Sequence, residues 1–154
     1  MRFVSIRMSI RVLAAILFGT VVAGCDLPRD PEGTLENVQG KELRVGVVQA
    51  GESADHDRRI VEHLARSLQA KPVYREGDAH VLFKSLEQGR LHLIVGGIPK
   101  STPFKDAGFS KAAGPLLGSS EDEERVLAVR AGENAFLLRV NRAIEAVRAG
   151  GEQS

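Results

Sequence analysis

Read along the chain, the hydrophobic positions change their spacing in a regular way. The run "LRVGVV" (Leu43–Val48) is continuous and β-branched, the pattern of a strand covered on both faces. In "DRRIVEHLARSLQA" the residues Ile60, Val61, Leu64, Ala65 and Leu68 fall on one helical stripe, and Asp55 or Asp57 stands where it would cap or charge the first turn. "KPVY" (Lys71–Tyr74) is a short strand whose Pro72 suits an outer position. Ala79, Leu82, Phe83 and Leu86 form a second helical stripe, and Gly89 is its stop. The third strand, Leu91–Val95, runs into Gly96-Gly97 and ends there. "GPLLGSSEDEE" (Gly114–Glu124) reads as a loop, and "RVLAVR" (Arg125–Arg130) as a last strand. A final helix in "GENAFLLRVNRAIEAVRAGG" puts Phe136, Leu137, Val140, Ala143, Ile144 and Val147 on one face.

Two β-α-β units in succession predict an α/β fold with a mostly parallel sheet flanked by helices and right-handed crossovers. A chain of 154 residues makes one domain with a real core.

The first 24 residues stand apart from that domain. Arg2, Arg7 and Arg11 precede a short apolar run, Val12–Ala23, which is well below the ~20 residues of a membrane span. The run ends in "VVAGCD", whose Cys25 is the only cysteine of the chain and so has no intrachain disulfide partner. A basic start, an apolar centre and a cysteine after Ala23-Gly24 resemble the bacterial lipobox. That resemblance implies that residues 1–24 are a lipoprotein signal peptide, that Cys25 becomes the lipidated (palmitate-bearing) N-terminus, and that the protein is anchored on the periplasmic side of the cell membrane. Residues 25–42, with two prolines, two glycines and few apolar side chains, read as a tether whose later part lies on the domain surface. The domain proper is then 43–150.

Charge and composition narrow the function. The full chain carries 21 Lys and Arg against 20 Asp and Glu, and without the three leader arginines it is near −2. With no Trp and one Tyr, it has no nucleic-acid footprint. His56 and His63 are two helical turns apart, ~10 Å, too far to share a metal, and His80 and His92 have no ligand partners at metal spacing. Ser85, Ser101 and Ser110 lack the setting of a nucleophile elbow, and no paired carboxylates or Cys/His arrangement is visible. The expectation is a protein without cofactor or metal that is not an enzyme.

"ELRVGVV", "VEHLARSLQAKPVY", "LFKSLEQGRLHLIVGGIPKSTPF" and Phe109-Ser110 resemble, in order and spacing, the first lobe of the bacterial extracellular solute-binding proteins of family 3, the amino-acid-binding components of ABC importers. Val126–Glu145 is similar to the family's return strand and helix, which complete that lobe. The resemblance implies a periplasmic-binding-protein-like lobe with the second lobe missing, because only Gly114–Glu124 stands where lobe two would be. It implies a small, amino-acid-like solute and an ABC permease subunit as partners, with a second copy of the chain as one way to supply the absent lobe.

The candidate ligand-binding residues are Gln49, Gly96, Gly97, Ser101, Thr102 and Lys105. Gly96 and Gly97 permit close approach of backbone N–H groups, Ser101 and Thr102 offer hydroxyls, and Lys105 offers a charge. The family places an aromatic loop after the first strand, where this chain has "QAGES". It places a Ser or Thr two residues past the glycines, where this chain has Pro99. It grips the ligand carboxylate with an Arg, where Lys105 lacks the bidentate fork. Two readings fit: a half-site for a small zwitterion, or a tight Gly-Gly turn beside a solvated lysine on an interaction lipoprotein that keeps the fold without a ligand.

Overall fold

The computed structural model describes residues 29–48, 52–118 and 123–151. The expected leader, Cys25 and Gln49 lie outside the described residues. In chain order the elements are α1 (Thr34–Val38), β1 (Glu42–Val47), α2 (Glu52–Ser67), β2 (Lys71–Glu76), α3 (Ala79–Glu87), β3 (Leu93–Pro99), β4 (Ala107–Phe109), β5 (Gly114–Pro115), β6 (Glu124–Arg130) and α4 (Asn134–Gly151). No helix among the described residues is long and apolar enough to cross a membrane.

The central strands are apolar on both faces because helices cover both. In β3, Leu93 and Val95 point to one side and join Leu43, Val45 and Val47 of β1 and Leu127 and Val129 of β6 beneath α2 and α4. Ile94 and Ile98 point to the other side, where they meet Leu82 and Leu86 of α3. Gly46 of β1 faces this second layer, and a Cβ there would stand 2.9 Å from a methyl of Leu91. The glycine therefore sets how closely the α3 layer approaches the sheet.

The strand order is β2-β1-β3-β6-β4, with β5 also paired to β6. β1 pairs in parallel with β2 and with β3, as the two β-α-β units require. The rest of the sheet corrects the expectation of a mostly parallel one. β6 runs antiparallel to β3, β4 and β5, because the chain returns through short turns after β3 rather than through a crossover helix. β2 is an edge strand carrying Pro72 and the charges of Lys71, Arg75 and Glu76, which discourage further pairing.

Other elements also depart from the sequence reading. α2 begins at Glu52, so Asp57 does not cap it but lies inside it and is buried. α3 has the expected Gly89 stop, with φ 69°, and gains an N-cap in Asp78, whose carboxylate accepts from the amides of His80 and Val81. Within 25–42, residues Thr34–Val38 are helical. α1 packs on the domain through Thr34 and Val38, the latter fully buried beside α4. A single well-placed valine and a satisfied backbone order a segment whose composition alone reads as linker.

His92, at the start of β3, is buried with both ring nitrogens toward N–H donors of Arg44: the backbone amide lies 3.1 Å from Nδ1 and the guanidinium 2.7 Å from Nε2. Burial, reinforced by the Arg44 charge, lowers its pKa to about 4. The unfolded chain, with an ordinary histidine near 6.5, therefore binds the proton that the folded chain refuses. This contribution to stability is complete above pH 6.5 and is lost as pH falls toward 4, by up to about 3 kcal/mol. Urea titrations of wild type and His92→Asn across pH 4–8 check it: the difference between the two curves should vary with pH only below about pH 6.5.

Candidate functional site

The carboxyl ends of β1 and β3 lie side by side, since Val47 of β1 is level with Val95 of β3. The N-terminus of α2 stands beside Gly97, where a Cβ would lie 3.6 Å from Ser53, and the segment that follows β3 runs on to α3, where Phe104 stacks on Phe83. In open α/β sheets the carboxyl ends of the strands are where ligands bind.

β3 does not stop at the glycines. It bulges between Ile94 and Ile98 and then resumes pairing, with Ile98 opposite Val126 and Pro99 opposite Arg125. Gly96 (φ 101°) and Gly97 (φ 77°) supply the positive φ angles at this bulge, a conformation costly for other residues. The pair is thus a bulge inside a longer strand rather than its end.

The bulge is held by a charge from a distant part of the chain. Asp57 is fully buried, and its Oδ2 accepts from the amide of Gly96 at 3.0 Å while its Oδ1 accepts from Nε of Arg125 at 2.8 Å. Arg125, itself 3% exposed, also donates to the carbonyl of Pro115 at 2.6 Å. Burial pushes the Asp57 carboxyl up, while Arg125 and the amides of Gly96 and Gly97 pull it back. The sequence does contain a signal for this residue. Asp57, Ile60, Val61 and Leu64 share the buried stripe of α2, and a carboxylate on an apolar stripe demands a cation.

Gly97 is covered. A Cβ at this position would lie 3.5 Å from a methyl of Leu116 and 3.6 Å from Cβ of Ser53. The Ser53 hydroxyl accepts from the amide of Leu117 at 3.2 Å, so the chain that follows β5 passes over the start of α2. Ser101 donates its amide to Glu123 at 3.3 Å, and its hydroxyl bonds the same carboxylate. Next to it Lys100 pairs with Glu124 at 2.7 Å. Thr102 is buried, with its amide on the carbonyl of Pro99, and its own carbonyl accepts from Nζ of Lys105 at 3.1 Å. Lys105 also borders a groove of about 330 Å³ lined by His80, Phe83 and Phe104. There the Phe83 and Phe104 rings stack at 3.9 Å, holding the Phe104–Lys105 segment against α3.

The five described candidates are thus split: Gly96 and Gly97 face α2, Ser101 binds Glu123, Thr102 is buried, and Lys105 lies against the α3 groove. Gly96 and Ser101 each bind a carboxylate of this chain, Asp57 and Glu123 respectively.

No family model matches the chain, and no curated protein matches it. Solved structures do. An arginine-bound point mutant of domain 1 from TmArgBP superposes with a TM-score of 0.64 at 17% identity, over 75% of this chain and 98% of that one. An amino acid ABC transporter substrate-binding protein from Streptococcus pneumoniae bound to L-arginine gives 0.63 at 12%, over 77% and 93%. The ancestral amino acid-binding protein AncCDT-1, a precursor of cyclohexadienyl dehydratase, gives 0.61 at 14%, over 77% and 94%. The fold is accordingly that of a single α/β lobe with a mixed sheet flanked by helices, matching domain 1 of the periplasmic binding proteins. The neighbouring structures are amino-acid-binding proteins of ABC transporters or their ancestral relatives.

Proposed function

We propose that this chain is a solute-binding lobe anchored through lipidated Cys25 on the periplasmic side of a bacterial membrane, where it presents a small amino-acid-like solute to the permease subunit of an ABC importer. In this reading residues 1–24 are removed, and Gly114–Glu124 replaces a second lobe. The observation that carries it is the likeness to an isolated domain. Domain 1 of TmArgBP has an arginine-bound form, and this chain covers 98% of the variant compared. Lys105, at the edge of the groove lined by His80, Phe83 and Phe104, is the cation offered to an anionic group.

Ligand-dependent melting of residues 26–154 against a panel of amino acids tests it. Starting at residue 26 keeps α1 and its contacts. A ligand bound only by the native state stabilises by ~2.7 kcal/mol at a hundredfold excess over Kd. The expected result is a shift with one class of solute, diminished in Lys105→Ala and in Thr102→Val. Cooperative melting that no solute displaces would end the capture reading.

A second reading has its own observation. Gly96 is committed to Asp57, Ser101 to Glu123, and Leu116 covers Gly97. A lobe whose polar donors are satisfied from within suits an interaction or scaffold lipoprotein that retains the fold without ligand.

A further inference from the structure

The segment before α1 is fastened to the domain by two carboxylates in contact with each other. Glu133, at the turn between β6 and α4, is 1% exposed, and its two oxygens accept from the amides of Glu32 and Thr34, each at 3.0 Å. Asp30 accepts from the amide of Leu35 through Oδ2 at 2.7 Å. Its Oδ1 is buried with no hydrogen-bond partner among the described residues, and the carboxyl group stands close enough to Glu133 and to the amide of Phe136 to interact with both. The carbonyl of Arg29 accepts from the amide of Ala135, and Pro31 rests against Gly132. Two ionised carboxylates do not share a buried contact without a cost that a single proton removes.

We propose that Asp30 and Glu133 form a proton-sharing latch that holds residues 29–35 against the β6–α4 turn in acid and releases them as the pH rises. Within the latch the proton sits on Asp30, whose hydroxyl donates to Glu133. Glu133 keeps both of its backbone donors and stays ionised. The charged neighbours leave this arrangement intact. Arg130 of β6 is engaged by Glu32 at 3.1 Å, Glu36 of α1 is exposed beside Gly33, and Arg29 meets α4 through its backbone carbonyl.

The titration agrees in direction. Burial first, and then Glu133, raise the Asp30 pKa to about 6. Glu133 is held below its ordinary value: burial acts to raise it, but hydrogen bonds from Asp30 and the amides of Glu32 and Thr34 outweigh that effect. A released Asp30 titrates near 3.8, so the latch gains stability below its bound pKa and loses it as pH rises through about 6. Under the anchored reading, release would lengthen the reach of the domain from the membrane by roughly 20 Å.

Hydrogen exchange of the full chain tests the latch, with protection of the Thr34 and Leu35 amides corrected for the intrinsic pH dependence of exchange. Wild type should lose about tenfold in protection between pH 5 and pH 8. Asp30→Asn, whose amide donates to Glu133 at every pH, should stay protected throughout. Flat wild-type protection across that interval would overturn the proposal, and so would a pH slope that survives in Asp30→Asn. Neither readout depends on a solute, so loss of the capture reading would leave the latch standing.

Discussion

Replacing Arg125 with alanine is expected to cost about 3–5 kcal/mol of unfolding free energy, because it strands a buried charge. Asp57 has no access to water, and after the substitution it keeps only the amides of the bulge as donors. Asp57→Ala should cost a similar amount from the other side, leaving a guanidinium 3% exposed with one carbonyl partner. The double replacement Asp57→Leu/Arg125→Met should be milder than either single change, because it removes both desolvation penalties and leaves unpaired the bulge amides, at about 1–3 kcal/mol each, and the carbonyl of exposed Pro115. Urea denaturation of the three variants gives the comparison. A cost below about 1 kcal/mol for Arg125→Ala would mean that the pair behaves as a surface bridge and that its burial is overstated. The result bears on function, since the same pair pins Gly96 and thus the shape of the candidate site.

Phe136→Ala is the second large effect, at about 3–5 kcal/mol. Phe136 is fully buried in the first turn of α4, in the core shared by α1, α2, α4 and one face of the sheet. Its removal leaves a cavity between layers fixed by β1, β3 and β6, which can collapse only in part. With natural domains stable by about 5–15 kcal/mol, a loss of this size should lower the melting temperature by on the order of 10 °C. Leu138→Ala, two residues on but 37% exposed, should stay within about 0.5 kcal/mol and is the internal control. Equal losses at the two positions would show that α4 does not present the face described.

The candidate residues were legible as residue types, but their engagements were not. Gly96, Gly97, Ser101, Thr102 and Lys105 mark themselves at and just after an apolar strand, and the fold divides them between the α2 and α3 sides of the sheet. Their engagement could not be read. The partners are Asp57 for Gly96, 39 residues away, and Glu123 for Ser101, 22 residues away. Arg125 meets Asp57 across 68 residues. Asp57 leaves a trace on the buried stripe of α2, but its partner does not, because Arg125 taken alone resembles any other charge beside an apolar run.

What the amino-acid order determined by itself is what depends on near neighbours. The stripe of Ile60, Val61 and Leu64 makes a helix with one buried face, Pro72 sends β2 to an edge, and the unbroken run of β1 calls for cover on both sides. These follow from spacing and backbone sterics within a turn or two of chain. Tertiary structure alone decided the antiparallel half of the sheet, the two- and three-residue strands β5 and β4, and the docking of α1. Strands that short have no stability apart from β6, and α1 is held by Val38 in the core and by Glu133 from the far end of the chain. Their energies come from pairing and burial between distant segments, which exist only once the chain has closed on itself.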